Sequence, residues 1–249
     1  MKKIITTILI ETLTKTLTTI ITTIRTDLFD FFLPPYCVAC SSRLVKGEKH
    51  LCLQCLYSLP YTAHFLHYDN MAAMRLADLG CYIQAASMLF YANEKHVQRL
   101  IFSFKYGGNK NLAFMMGKLM AEEARSCPEY MEADFLVPVP LHPRKEWRRG
   151  YNQVECLCRG ISSVWGTPVA ANALRRRRAT RAQASKSRVE RKNIMGKKTF
   201  VANNIEGLEG KKLLLVDDVL TTGSTLAACI DALLEIPDVS ICVMTLSIA

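Results

Sequence analysis

Two adjacent acids, Asp217 and Asp218, end the apolar run Leu213-Leu214-Leu215-Val216, and Val219-Leu220-Thr221-Thr222-Gly223-Ser224-Thr225 follows them. Four apolar residues in a row read as a buried strand of a parallel sheet, and open α/β folds place ligands at the carboxyl ends of such strands. Carboxylates there are not packing residues, because an uncompensated buried charge is costly. They require hydroxyls or a metal ion opposite them. Thr221 to Thr225 supplies hydroxyls, one glycine and the start of a helix, so backbone N–H groups and the helix dipole favour an anion. Acids beside a phosphate cradle suit a sugar phosphate, and the missing Gly-Lys-Ser/Thr triplet excludes a Walker A loop.

A second chemistry lies near the start of the chain. Cys37-Val38-Ala39-Cys40 and Cys52-Leu53-Gln54-Cys55 are two C-x-x-C pairs with 11 residues between them, enough for a short hairpin that brings both turns to one ion. Cys37, Cys40, Cys52 and Cys55 therefore read as a closed, structural four-thiolate zinc site with no coordination position left for water. The rival reading, two disulfides, needs an oxidising compartment. The other six cysteines are scattered, and Cys229 and Cys242 sit in apolar stretches as reduced core residues of a cytoplasmic protein would.

The elements that must hold these groups alternate between strand-like and helical patches, the pattern of an α/β domain. Strands are predicted at 81–91, 135–140, 169–175, 212–216 and 239–246, and helices at 94–105, 111–125, 149–163 and 224–235. A proline-bounded loop is expected after the strand at 135–140. Residues 1–27 form an Ile/Thr-rich extension, residues 28–60 the cysteine module and residues 61–249 the main domain. The extension is too diluted by threonine for a membrane span and lacks the cleavage site of a signal peptide. It reads either as an amphipathic segment able to lie on a protein or membrane surface, or as an incidental tail.

With 249 residues and a hydrophobic fraction of 50%, the chain is neither disordered, fibrous nor a membrane bundle. Its net charge of +10 is concentrated: His142 to Lys198 holds 16 Lys or Arg against three acids, leaving −3 for the remainder. One strongly basic segment on a mildly acidic protein favours a polyanion, either nucleic acid or a phosphate-rich small molecule.

The segment Val216 to Thr225 resembles the phosphoribosyl pyrophosphate (PRPP) motif of type I phosphoribosyltransferases. That resemblance implies that Asp217 and Asp218 meet the ribose hydroxyls while Thr221, Thr222, Gly223, Ser224 and Thr225 hold the 5′-phosphate, with Mg2+ accompanying PRPP. Val137-Pro138-Val139-Pro140-Leu141-His142-Pro143, Arg148-Arg149-Gly150-Tyr151-Asn152-Gln153 and Phe104-Lys105-Tyr106-Gly107-Gly108 are similar to the signature of the ComF, or GntX-like, family, as is a zinc ribbon ahead of the domain. The resemblance spans residues 28–249. It implies a type I phosphoribosyltransferase-like parallel sheet flanked by helices, with Lys105, Arg144 and Arg149 as phosphate contacts. It also implies a flexible loop from Arg175-Arg176-Arg177-Arg178 to Lys198 that closes over the site and carries Gln183, Arg188 and Arg191. Arg191-Lys192-Asn193 is one residue shorter than the family's Arg-x-x-Asn element.

Two functions are compatible with these residues. One is pentosyl transfer from PRPP, for which electrostatic stabilisation by the acids and cations suffices and no protein nucleophile is needed. The other is a single-stranded DNA-binding or regulatory protein that keeps the fold without catalysis, in line with the family's link to the competence machinery and natural transformation. Tyr106, Trp147 and Tyr151 lie close to the basic segment as candidates for base stacking. Nothing in the sequence identifies an acceptor.

Overall fold

The computed structural model describes residues 34–91, 95–177 and 199–249, and the chain divides into two compact units between Ser58 and Leu59. The extension at 1–27 and loop residues Arg178 to Lys198 lie outside the described residues.

The described residues of the first unit, 34–58, form two tight turns and one helical turn. Cys37 N donates to Ser42 O at 2.8 Å and Val38 N to His50 O at 2.9 Å, with isolated antiparallel bridges pairing Tyr36 with Arg43 and Lys49 with Leu51. Ser41 and His50 turn the chain in the left-handed region, at φ of 64° and 62°. Helix α1 (Leu53–Tyr57) begins at Cys52, whose Sγ accepts from Cys55 N at 3.4 Å. The Glu48 carboxylate ties the second turn to this helix by accepting from Val45 N at 2.9 Å and Leu53 N at 2.8 Å. Among its described residues the buried apolar ones are few, chiefly Cys37, Ala39, Leu44, Leu51 and Cys55. A core this small needs a staple beyond apolar burial.

The second unit is built on a parallel sheet of four strands in the order β1-β6-β5-β2. In chain order come helix α2 (Met71–Ala77), β1 (Ala85–Phe90), α3 (Lys95–Tyr106), α4 (Lys110–Glu123), α5 (Pro128–Met131), β2 (Phe135–Pro138), α6 (Pro143–Arg149) and α7 (Gln153–Trp165). Strands β3 (Leu174–Arg176) and β4 (Phe200–Ala202), then β5 (Lys212–Leu220), α8 (Ser224–Leu233) and β6 (Ser240–Ile248), complete it. Strands β3 and β4, which flank residues 178–198 in sequence, pair antiparallel. The centre of β5, Leu213 to Val216, is wholly buried, as a parallel strand covered on both faces must be. Val97, Leu100, Ile101 and Phe104, expected on one face of the helix at 94–105, are the buried stripe of α3.

Four differences from the sequence-based expectation have local causes. The expected loop after β2 holds α6, because Pro143 occupies the first helical position behind His142, whose ring nitrogen accepts from Arg144 N at 3.2 Å. The helix expected from Arg149 begins instead at Gln153, since Gly150 ends α6 at φ 75° and Asn152 caps α7. The predicted strand at 169–175 is a single bridge from Val169 to Leu136 followed by β3, and β4 carried no periodicity signal. Strand β5 runs four residues past Val216, so the acid pair lies within the strand and not beyond it.

Helices α4 and α7 pack backbone against backbone at two glycines. A Cβ on Gly117 would stand 2.1 Å from Leu157 O, and one on Gly160 would stand 2.1 Å from Phe114 O. Neither carbonyl can yield without separating the helices. Gly117→Ala and Gly160→Ala are each expected to cost on the order of 1–3 kcal/mol or more through overpacking. Urea denaturation checks this, with exposed Lys118→Ala on the same helix expected to stay within about 0.5 kcal/mol of the parent.

Candidate functional site

Successive strand residues leave opposite faces of a sheet, so Asp217 and Asp218 reach different surroundings. Asp218 is 6% exposed, and both its oxygens are held. Lys105 Nζ, from the end of α3, lies 2.9 Å from Oδ1, and Gln153 Nε2, from the start of α7, lies 2.6 Å from Oδ2. The Ser247 hydroxyl donates to the Asp218 carbonyl at 3.3 Å. Asp217 instead lines an open cleft with Val219, Thr221, Gly223 and Thr225. Its Oδ1 accepts from Asp218 N at 2.8 Å. Burial, then the neighbouring Asp218 carboxylate, pushes the Asp217 carboxyl up to about 8.

The loop after β5 is exposed at Thr221, Thr222, Ser224 and Thr225 and buried at Gly223. Gly223 precedes α8 at φ 79°, and a Cβ there would meet Leu79 Cδ1 at 3.0 Å and Leu76 Cδ2 at 3.3 Å. Only glycine meets both demands. The Thr222 and Ser224 hydroxyls lie 3.0 Å apart at the helix N-terminus. From α2, Arg75 Nη1 donates to Thr221 O at 2.7 Å and also to Ala249 O, which ties the loop to the end of β6.

Of the three predicted phosphate contacts, two are engaged with protein groups. Lys105 is the counter-ion of Asp218. Arg149 Nη1 donates to Gln153 Oε1 at 2.8 Å, and its guanidinium stands 5.0 Å from the Tyr106 ring centroid. Arg144 is exposed on α6, a helix that buries none of its residues and presents Lys145, Arg148 and a Trp147 that is 88% exposed. The turn before α7 is pinned twice: the Tyr151 hydroxyl donates to Phe104 O, and Asn152 Nδ2 to Val139 O at 3.1 Å. Gln183, Arg188 and Arg191 lie outside the described residues. Sequence reasoning gave no role to Gln153, although it ends a quoted motif, and no signal pointed to Arg75.

In the first unit the Sγ atoms of Cys37, Cys40, Cys52 and Cys55 all lie within 4.8 Å of one another, so this cluster can hold a metal ion. Cys40 Sγ and Cys52 Sγ are 3.7 Å apart. A tetrahedral ion bonded to thiolates at about 2.3 Å sets its sulfurs roughly 3.8 Å apart. Hydrogen bonds from Ser42 bring the Cys40 thiol down to about 6, whereas burial and the adjoining cysteines push Cys55 up.

Comparison with known proteins follows the same outline. Residues 166–246 match the family model described as Phosphoribosyl transferase domain. Competence protein F of Haemophilus influenzae is 30% identical over 192 residues, covering 77% of this chain and 75% of that protein. DNA utilization protein YhgH of Escherichia coli K12 is 32% identical over 204 residues, covering 80% and 84%. Competence protein ComFC of Bacillus subtilis 168 is 27% identical over 211 residues, covering 82% and 81%. A solved structure of the allosteric regulatory enzyme of purine biosynthesis aligns at 22% identity with a TM-score of 0.37, over 53% of this chain and 25% of that one.

Because the folded Asp217 binds its proton more tightly than an unfolded aspartate, stability falls as pH rises from about 4 to about 8. Asp217→Asn removes that dependence while its amide oxygen can still accept from Asp218 N. The variant is expected to melt near the parent temperature at pH 5 and above it at pH 8, by about 2–4 °C per kcal/mol relieved. Differential scanning calorimetry at both pH values checks the sign.

Proposed function

The chain belongs to the ComF family, and on that footing we propose that its second unit binds PRPP with Mg2+ in a cytoplasmic step of DNA uptake. The observation that carries this reading is the acid pair at the carboxyl end of β5 directly ahead of the hydroxyl-lined loop and α8, all within the stretch that matches a phosphoribosyl transferase domain. The names of the relatives, competence and DNA utilization proteins, support the uptake role.

In this reading Asp217 and Asp218 receive the ribose hydroxyls, and Thr221 to Thr225 the 5′-phosphate. Arg144, and Lys105 once released from Asp218, face the pyrophosphate, and Gln183, Arg188 and Arg191 belong to the loop that closes over it. Hard carboxylate oxygens suit Mg2+, which when bound neutralises charge on the leaving pyrophosphate. In transfer, the bond from the anomeric carbon to the pyrophosphate oxygen breaks as the acceptor's lone pair bonds to that carbon. The protein's part is to hold negative charge beside the oxocarbenium-like centre and positive charge beside the departing group. The four thiolates suit Zn2+, which would staple the first unit and leave no open position for chemistry.

A second reading is favoured by one observation. Helix α6 has no buried residue, yet presents an almost fully exposed Trp147 among Arg144, Lys145 and Arg148. Stacking on an aromatic with phosphate-binding cations alongside is how single-stranded DNA is held without sequence preference.

Calorimetric titration of the full chain with PRPP and Mg2+, with and without a single-stranded oligonucleotide, tests both readings. PRPP binding that is lost in Asp217→Asn/Asp218→Asn while the variant still unfolds cooperatively supports the ribose site; binding unaltered in that variant ends the assignment. DNA binding alone, falling by orders of magnitude as salt rises and weakened in Trp147→Ala, supports the second reading. Metal analysis is expected to return one zinc per chain, and Cys37→Ser to release it and unfold the first unit.

A further inference from the structure

We infer that Gln153, its amide oriented by Arg149, is the positioning residue that sets the direction of the Asp218 carboxylate. The inference rests on the reading of that carboxylate as half of the ribose-binding pair, and gives a role to a side chain outside the PRPP motif.

Gln153 is 2% exposed, the first residue of α7, and both heteroatoms of its amide are hydrogen-bonded in the site. A primary amide can turn over and exchange its oxygen for its nitrogen, so an isolated Gln would offer Asp218 either a donor or a repelling oxygen. Arg149 removes that freedom. A guanidinium only donates, so the amide oxygen must face Nη1, at 2.8 Å, and the NH2 group must face Asp218 Oδ2, at 2.6 Å. Asp218 Oδ1 is taken by Lys105 from α3, so donors on two helices hold the carboxylate from two sides. The two donors differ in kind. Lys105 is a flexible point charge with 20% of its side chain exposed, able to leave for an incoming anion. Gln153 is buried and short, and stays.

The arrangement around Arg149 fits a part kept for placement. Its guanidinium lies against Tyr106, and its Nε is buried with no hydrogen-bond partner among the described residues, an arrangement that costs stability. The turn between Arg149 and Gln153 is held at Tyr151 and Asn152, which fixes the distance between guanidinium and amide.

The test uses the full chain with Gln153→Leu, Gln153→Glu and Arg149→Met, each read by crystal structure and by calorimetric titration with PRPP and Mg2+. In Gln153→Leu the Asp218 carboxylate is expected to turn from its present direction, with the Kd for PRPP rising about 10- to 100-fold, the loss expected for a hydrogen bond to a charged group. Arg149→Met is expected to show a smaller rise through the loosened amide. Gln153→Glu sets two carboxyl groups face to face. Binding is expected to be weak at pH 8 and to recover toward pH 5, where a shared proton restores the donor. A merely structural role would not produce that pH-dependent rescue in one variant and not in the parent.

An Asp218 direction and PRPP affinity both unchanged in Gln153→Leu would overturn the inference, as would a Gln153→Glu pH profile parallel to the parent's. If the parent binds no PRPP, the ribose reading fails, and the direction of Asp218 in the Gln153→Leu structure alone decides for or against positioning. Should Gln153→Leu not fold, the near-isosteric Gln153→Glu, compared at pH 5 and pH 8, decides.

Discussion

A buried carboxylate inside a strand whose centre is wholly apolar must be compensated from outside that strand, and Asp218 sets this condition for the domain. Its partners come from two helices that are distant in sequence, Lys105 at the end of α3 and Gln153 at the start of α7. Both must dock on the same face of the sheet to within hydrogen-bond distance. The glycine contact between α4 and α7 permits this, since any side chain at Gly117 or Gly160 would hold the helices apart. The hydrogen bond from Tyr151 to Phe104 O then links the end of α3 to the turn that starts α7. Electrostatic compensation at one oxygen pair thus dictates close packing more than a helical turn away.

The other acid is left in a different state. Asp217 opens onto the loop cleft, where burial and its neighbour raise its proton affinity. Its surroundings disfavour charge, at some cost to stability. Around it, α2 and the turn that follows it act as a buttress: Leu76 and Leu79 close the space at Gly223, and Arg75 gathers the carbonyls beneath the loop. The loop's conformation is therefore held by side chains from before β1, while its hydroxyls face outward.

The first unit obeys a separate constraint. Among its described residues the apolar core is slight, Glu48 ties the second turn to α1, and the four sulfurs converge. Convergence of soft donors gives it a cluster that can hold a metal ion.

Much of this was legible from residue order alone, because local chemistry governs it. The apolar run of β5, the stripe on α3, the C-x-x-C spacing and the Thr-Thr-Gly-Ser-Thr loop each depend on neighbours within a few positions. The α/β class followed from the alternation of strand-like and helical patches, and the ComF kinship from the segments Val137–Pro143, Arg148–Gln153 and Phe104–Gly108 together with the cysteine module. Boundaries failed where caps compete, as at Gly150 and Asn152, and at the end of β5, where ladder pairing with β6 draws Asp217 and Asp218 into the strand. What only the tertiary structure decided is which distant groups meet. Pairing Lys105 with Asp218, aiming Gln153 by Arg149 and bracing the loop with Arg75 all depend on helix docking. That docking is set by shape and by the need to satisfy buried charge, which no window of sequence contains.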